Sequence, residues 1–192
     1  MTGAAHDRKG NAMKCTELLE KDHQLILRAV DVLDEMADQV KRGEPVDFGD
    51  VELIIRFLKE FEDEHHQTKE ESALFPLLLN NPGSQGARLR QMLFEHDQER
   101  SLVEGLEDAL RTKHGADFVQ FANRLITLLR SHISKEEFAL FSLIELVLSD
   151  DQKGCVLAEF HEFDRRLERG CGTDLLRILR LLETKYLRRR SA

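Results

Sequence analysis

The stretch HHQTKEESALF, residues 65–75, returns in altered form as HISKEEFALF, residues 132–141, so that the pattern HxxKEExALF occurs twice, from His66 and from His132. Each copy sets a histidine four residues before a glutamate, one helical turn away, inside an otherwise apolar helical pattern. A repeat of this kind asks for two helices that deliver the same side chains to one place.

The surrounding sequence predicts helices throughout. From Thr16, the residues Leu19, His23, Ile26, Leu27, Val30, Leu33 and Ala37 share one face at helical spacing, until KRGEPVD breaks the pattern. A second helix begins at Asp47, a good cap, and runs to NNPGSQG, with Pro76 expected to kink its last turns. Ser84 caps a third that ends at His114 and Gly115, and a fourth runs from DFVQF to Ser149. Two shorter amphipathic segments follow, at 151–169 and 174–190, the latter ending in the basic run KYLRRR. Strand-type alternation is absent. The expectation is an all-α fold with a polar tail over 1–14, an up-down-up-down four-helix bundle over 15–149, and a helical extension over 150–192 that adds two helices.

Composition narrows the function. A formal net charge of -8 argues against nucleic-acid binding, which needs basic surface to displace counterions. The polar stretch MTGAAHDRKGNA contains no apolar signal core, and no apolar run is long enough to cross a membrane. Cys15, Cys155 and Cys171 are odd in number and lack zinc-like spacing, which points to buried, reduced thiols and a cytoplasmic location. The apolar face of LLRILRLLETKYL is expected to cap its own bundle, with a homodimer contact as the alternative. No phosphate-binding or nucleophile-elbow pattern occurs.

Helical phase then selects residues. At about 100° per residue, Phe121, Leu125, Leu128, His132, Glu136, Ala139, Leu143 and Leu146 form one stripe, and Glu137 falls on the solvent side. On the second helix Ile55, Glu62, His66, Glu70, Ala73 and Leu77 share a stripe, which favours His66 over His65 as the inward histidine and leaves His65 to a supporting or surface position. Counting from the loops at about 1.5 Å per residue brings His23 level with His66 and His96 level with His132, all in one layer. A lone HxxxE is ordinarily a polar pair on a helix surface. Six inward polar residues on four helices at one height are not. Buried carboxylates cost several kcal/mol unless paired or bound to metal. The expected metal ligands are therefore His23, His66, Glu70, His96, His132 and Glu136, with His23 and His66 serving one ion, His96 and His132 the other, and both glutamates bridging. Glu62 and Glu95 border the site, Arg100 is placed to neutralise a glutamate, and His6, His114 and His161 are peripheral.

At DHQLIL, HHQTKEESALFP, EHDQER and HISKEEFALF, over residues 15–149, the sequence resembles the hemerythrin-like, or HHE cation-binding, family. The resemblance implies a hemerythrin four-helix bundle holding a non-haem di-iron centre, the six ligands falling on the six positions above. Oxygen-carrying members have a further histidine where this chain has Arg100, and a last aspartate ligand five residues after the helix 4 histidine, where this chain offers Glu136 at four and Glu137 at five. The ligand set is more similar to that of the repair-of-iron-centres proteins and of the iron-sensing F-box protein's hemerythrin domain.

Imidazole and carboxylate ligands suit two iron ions, with manganese or zinc as alternatives. The expected function is binding or sensing of a small oxidant ligand, dioxygen, nitric oxide or peroxide. The alternatives are a di-iron oxidoreductase that reduces peroxide or nitric oxide, and iron storage or delivery with Glu62 and Glu95 lining an exit path.

Overall fold

The computed structural model describes residues 14–80 and 86–187. The polar N-terminal tail (but for Lys14), the loop at Pro82 with the expected cap Ser84, His6 and the end of the basic C-terminal run lie outside the described residues.

Six helices and no strand occur among the described residues. They are α1 (Cys15–Lys41), α2 (48–79), α3 (Gly86–Thr112), α4 (115–147), α5 (Asp150–Arg169) and α6 (Gly172–Tyr186). Local chemistry sets several of the boundaries. The Asp47 carboxylate accepts from the Gly49 amide at the start of α2. His114 starts α4, its Nδ1 accepting from the Asp117 amide, a cap that the sequence pattern did not disclose. Ser149 and Gln152 form a reciprocal capping box that separates α5 from α4.

The first four helices pack in a ring, α1 on α2, α2 on α3, α3 on α4 and α4 on α1. The amphipathic C-terminal segments close on this ring, α5 and α6 both meeting α1 and α2. Leu175, Ile178, Leu179, Leu182 and Tyr186 are buried there. Polar links fix the register: Arg28 donates twice to Glu183, at 2.6 and 2.7 Å, and the Tyr186 hydroxyl donates to Asp50 Oδ2 at 2.6 Å. No helix of the described residues is long and apolar enough to cross a membrane.

The interior holds two apolar clusters. One gathers Ile26 to Ala37, Val51 to Phe61, Leu102 to Ala109, Phe118 to Ile133 and α6; the other gathers Cys15 to Leu19, Ala73 to Leu78, Leu89, Met92, Leu140 to Leu148, Val156 and Phe160. Along each of α1 to α4 the chain passes from one cluster to the other through a polar stretch, and those four stretches form a single layer.

Two helices carry wide turns at that layer, α2 over Leu58–Gln67 and again over Glu70–Leu74, and α4 over Glu136–Leu140. The amide of Phe75 bonds the carbonyl of Glu70, and the amide of Phe141 bonds that of Glu136, five residues back instead of four. Past these turns Ala73 and Leu143 stay buried as expected, but the rest of the buried stripe moves on by one position. Leu146, expected inward, is 84% exposed, while Leu140, Ile144 and Leu148 are buried. On α2, Leu78 is fully buried and Leu77 only partly so. Uniform helical phase cannot foresee this, because a π turn inserts one residue without changing the local pattern. The thiols also depart from expectation: all three are free, but Cys15 alone is buried, Cys155 being exposed and Cys171 half-buried.

Candidate metal centre

His23 comes from α1, His66 and Glu70 from α2, His96 from α3, and His132 and Glu136 from α4, and none of the six is more than 2% exposed. Two overlapping groups form, His23, His66, Glu70 and Glu136, and then Glu70, His96, His132 and Glu136. Within each group one nitrogen or oxygen from every residue lies within 4.8 Å of the others. The glutamates are common to both groups.

The imidazoles turn Nε2 inward. His23 Nε2 lies 3.1 Å and His132 Nε2 3.7 Å from Glu136 Oε2, while His96 Nε2 lies 3.5 Å from Glu70 Oε2 and His66 Nε2 3.8 Å from Glu70 Oε1. His96 Nε2 and His132 Nε2 are 3.2 Å apart.

Each Nδ1 faces a second carboxylate. His23 donates to Glu137 at 3.0 Å, His96 to Glu71 at 2.7 Å and His132 to Glu95 at 2.9 Å, while His66 Nδ1 stands 3.5 Å from Asp22. A carboxylate there can only accept, so Nδ1 of His23, His96 and His132 carries a proton, which leaves Nε2 as the nitrogen able to ligate once a cation displaces its own proton; His66 Nδ1 makes no hydrogen bond. Those carboxylates are themselves held. Lys69 donates to Asp22 at 2.8 Å, Lys135 donates to Glu95, and Arg100 bonds Glu71 at 2.8 Å and Asp63 at 2.7 Å.

These contacts account for the polar positions of the repeat and for its terminal phenylalanine. In both copies of HxxKEExALF the histidine and first glutamate enter the centre. The lysine grips the carboxylate facing that histidine, which is Asp22 for His66 and Glu95 for His132. The second glutamate crosses to the histidine of the neighbouring helix, Glu71 to His96 and Glu137 to His23. The terminal phenylalanine stacks on that same ring, Phe75 against His96 with centroids 5.9 Å apart and Phe141 against His23 at 5.8 Å. The partners also match: Asp22 precedes His23 as Glu95 precedes His96. The layer has a local pseudo-twofold axis written into the sequence.

Sequence reasoning missed part of this. Glu137 is exposed as expected, yet its carboxylate folds back onto His23. His65 is buried, with Nε2 3.4 Å from Asp164, so its role is internal and not at the surface. Asp22, Lys69 and Lys135 drew no attention, although the second KEE and the acidic residue before each lone histidine were available signals. Glu62 lies buried beside Glu99, both accepting from Gln67 Nε2, at 2.7 Å for Glu99. Burial pushes Glu62 up to about 7 and Glu99 well above the ordinary carboxylate range. His114 and His161 are peripheral as expected.

The electrostatics of the layer are those of a cation site. With protons as the only counter-charges, burial opposes the imidazolium of His23, but Glu136 and Glu137 outweigh it and raise the ring to about 10. His96 is likewise raised to about 10 against burial by Glu70 and Glu71. Burial and the neighbouring Glu136 push Glu70 up to about 8, whereas burial lowers His66 to about 4. Both oxygens of Glu70 and Oε1 of Glu136 are buried without any hydrogen-bond partner. Atoms of that kind are rare in an interior unless something else ligates them. Four inward imidazole nitrogens around two orphaned carboxylates are donors that iron, manganese or zinc accepts. The residues present fit such ions.

A family model described as the hemerythrin HHE cation binding domain matches residues 15–144. No curated protein and no solved structure matches the chain.

Proposed function

The chain belongs to the hemerythrin HHE cation-binding domain family, and from that premise we propose that it is a di-iron protein that binds or senses a small oxidant ligand, namely dioxygen, nitric oxide or peroxide. The observation that carries this reading is the pair of fully buried glutamates, Glu70 and Glu136, common to two four-residue donor groups and left with orphaned oxygens. His23 and His66 would hold one ion and His96 and His132 the other, with Glu70 and Glu136 available to both. The bundle is read as four helices of alternating direction over 15–149, with 150–192 as an added helical extension, which the ring of packing contacts supports.

Iron bound there supplies redox and small-ligand chemistry. The protein's part is to prepare the place. Each group offers two imidazoles and two carboxylates common to both, so an iron ion held there would have four protein donors and could take up a small exogenous ligand. Glu137, Glu71 and Glu95 hold their rings in the ligating tautomer, and Asp22 faces the fourth. The two apolar clusters seal the layer above and below, limiting water. The arrangement, histidine-rich and with Arg100 engaged by Glu71 and Asp63, supports a centre of the repair-of-iron-centres type over an oxygen carrier.

The test is to load the protein with ferrous iron anaerobically and add dioxygen, nitric oxide or peroxide one equivalent at a time. A new visible absorption band that saturates near one equivalent per centre is the expected result. Inertness to all three contradicts the reading. Continued consumption in the presence of a reductant would assign the oxidoreductase function instead.

A further inference from the structure

The pseudo-twofold symmetry of the layer is broken by Arg100 beside Glu71 and, on the other half, by a helix that lies beyond the family match. Asp164, on α5, places Oδ1 2.6 Å from Lys69 Nζ and 3.4 Å from His65 Nε2. Lys69 is fully buried, near the buried ring of Phe160, and its ammonium also bonds Asp22, which faces His66. Its counterpart Lys135 pairs with Glu95, and its side chain is 36% exposed. One lysine therefore ends in solvent and the other ends on α5.

A buried ammonium between two carboxylates is balanced by both, and its position is the resultant of two attractions. Without the Asp164 charge, Asp22 is the carboxylate left to Lys69 among the described residues. A cavity of about 530 Å³ lined by Asp22, His65, Asp164, Leu167 and Thr173 lies along the seam, while Val156 and Phe160 of α5 pack into the second apolar cluster. Asp164 adds a polar link from α5 to the layer at this height.

We propose that Asp164 is a positioning residue for the His23/His66 half of the centre, acting through Lys69 and Asp22 on His66, so that the C-terminal extension sets the affinity for one ion and not the other. This rests on the reading of the layer as a two-ion centre. It makes the two ions inequivalent despite near-identical ligands. Coupling is reciprocal, so metal at His66 must in turn steady α5.

The experiment compares the full chain with Asp164→Asn and with Glu162→Gln, a control on the outer surface of the same helix. Each is loaded anaerobically with ferrous ion, and release to a chelator is followed. Asp164→Asn is expected to weaken one ion per chain by about tenfold or more, the scale of outer-shell losses, and to leave the second ion and the control unchanged. A merely structural role would lower thermal stability without separating the two ions. Equal weakening of both ions, or of neither, overturns the inference while leaving the centre intact; failure of the unaltered protein to bind ferrous ion overturns both. Should Asp164→Asn not fold, hydrogen exchange of the unaltered protein decides. Ferrous ion is expected to slow exchange along 150–169 more than along 172–186, and equal protection of the two helices overturns the inference.

Discussion

Glu137 stands at the surface of α4, 44% exposed, and still places Oε1 3.0 Å from Nδ1 of His23, which is fully buried on α1. The pairing fixes which nitrogen of His23 faces Glu136 and ties the outermost residue of the second KEE to the interior of a different helix. Glu71 and His96 repeat it at 2.7 Å, with Arg100 added.

Removing that support weakens metal binding without touching a ligand. Glu137→Ala is expected to lower the affinity for one ion by about 10- to 100-fold, the range typical of carboxylates that orient metal-bound histidines, while the far-ultraviolet circular dichroism stays that of the parent. Equilibrium competition against a chelator measures it; an unchanged constant would show that the contact is incidental.

Glu70 illustrates the opposite balance. Both its oxygens are buried without hydrogen bonds, so the metal-free protein bears the desolvation cost of a group that metal would satisfy. Glu70→Met removes the unsatisfied atoms at similar volume. Denaturant titration should find the metal-free variant about 1–3 kcal/mol more stable than its parent, with metal stoichiometry below two per chain. Destabilisation would mean that Glu70 is compensated by other means.

Metal itself should stabilise the fold. An ion that binds the native layer and not the unfolded chain raises stability by about 2.7 kcal/mol at a hundredfold excess over its dissociation constant. Thermal melts with and without ferrous ion, then with chelator, should show a reversible rise in Tm. His132→Ala should reduce that rise, and a rise that survived the loss of both His66 and His132 would place the binding elsewhere.

Glu62, which is not one of the six expected ligands, supplies a pH signature, with burial raising its pKa against the opposing charge of His96. Burial raises its folded pKa to about 7, above the ordinary carboxylate value, so its contribution is fully present below about pH 4.5 and is lost as pH rises through about 7. Glu62→Gln removes that loss. The metal-free variant should match the parent near pH 4 and exceed it in stability near pH 8, with some slope remaining from Glu99. Parallel stability profiles across that interval would rule out the raised pKa.

The repeat made the inward residues legible because period and burial agree up to His66, Glu70, His132 and Glu136. Beyond the glutamates the agreement is partial: Ala73 and Leu143 are buried as expected, whereas past the wide turn ending at Phe141 Leu146 faces out and Leu140, Ile144 and Leu148 face in. The crossing of Glu71 and Glu137 to other helices was equally hidden. Periodicity reports which face a residue occupies on its own helix and says nothing about how far a long side chain reaches. Asp164 was further from view, since its partner Lys69 is 95 positions away in the sequence and surface-type residues are not ordinarily expected to be buried.

The central claim is that two ions share Glu70 and Glu136. Anomalous diffraction at the iron edge from crystals of the iron-loaded protein tests it most directly. Two peaks are predicted, one beside His23 and His66 and the other beside His96 and His132, both in reach of the two glutamates. A single peak, or iron bound away from Glu70 and Glu136, would contradict it.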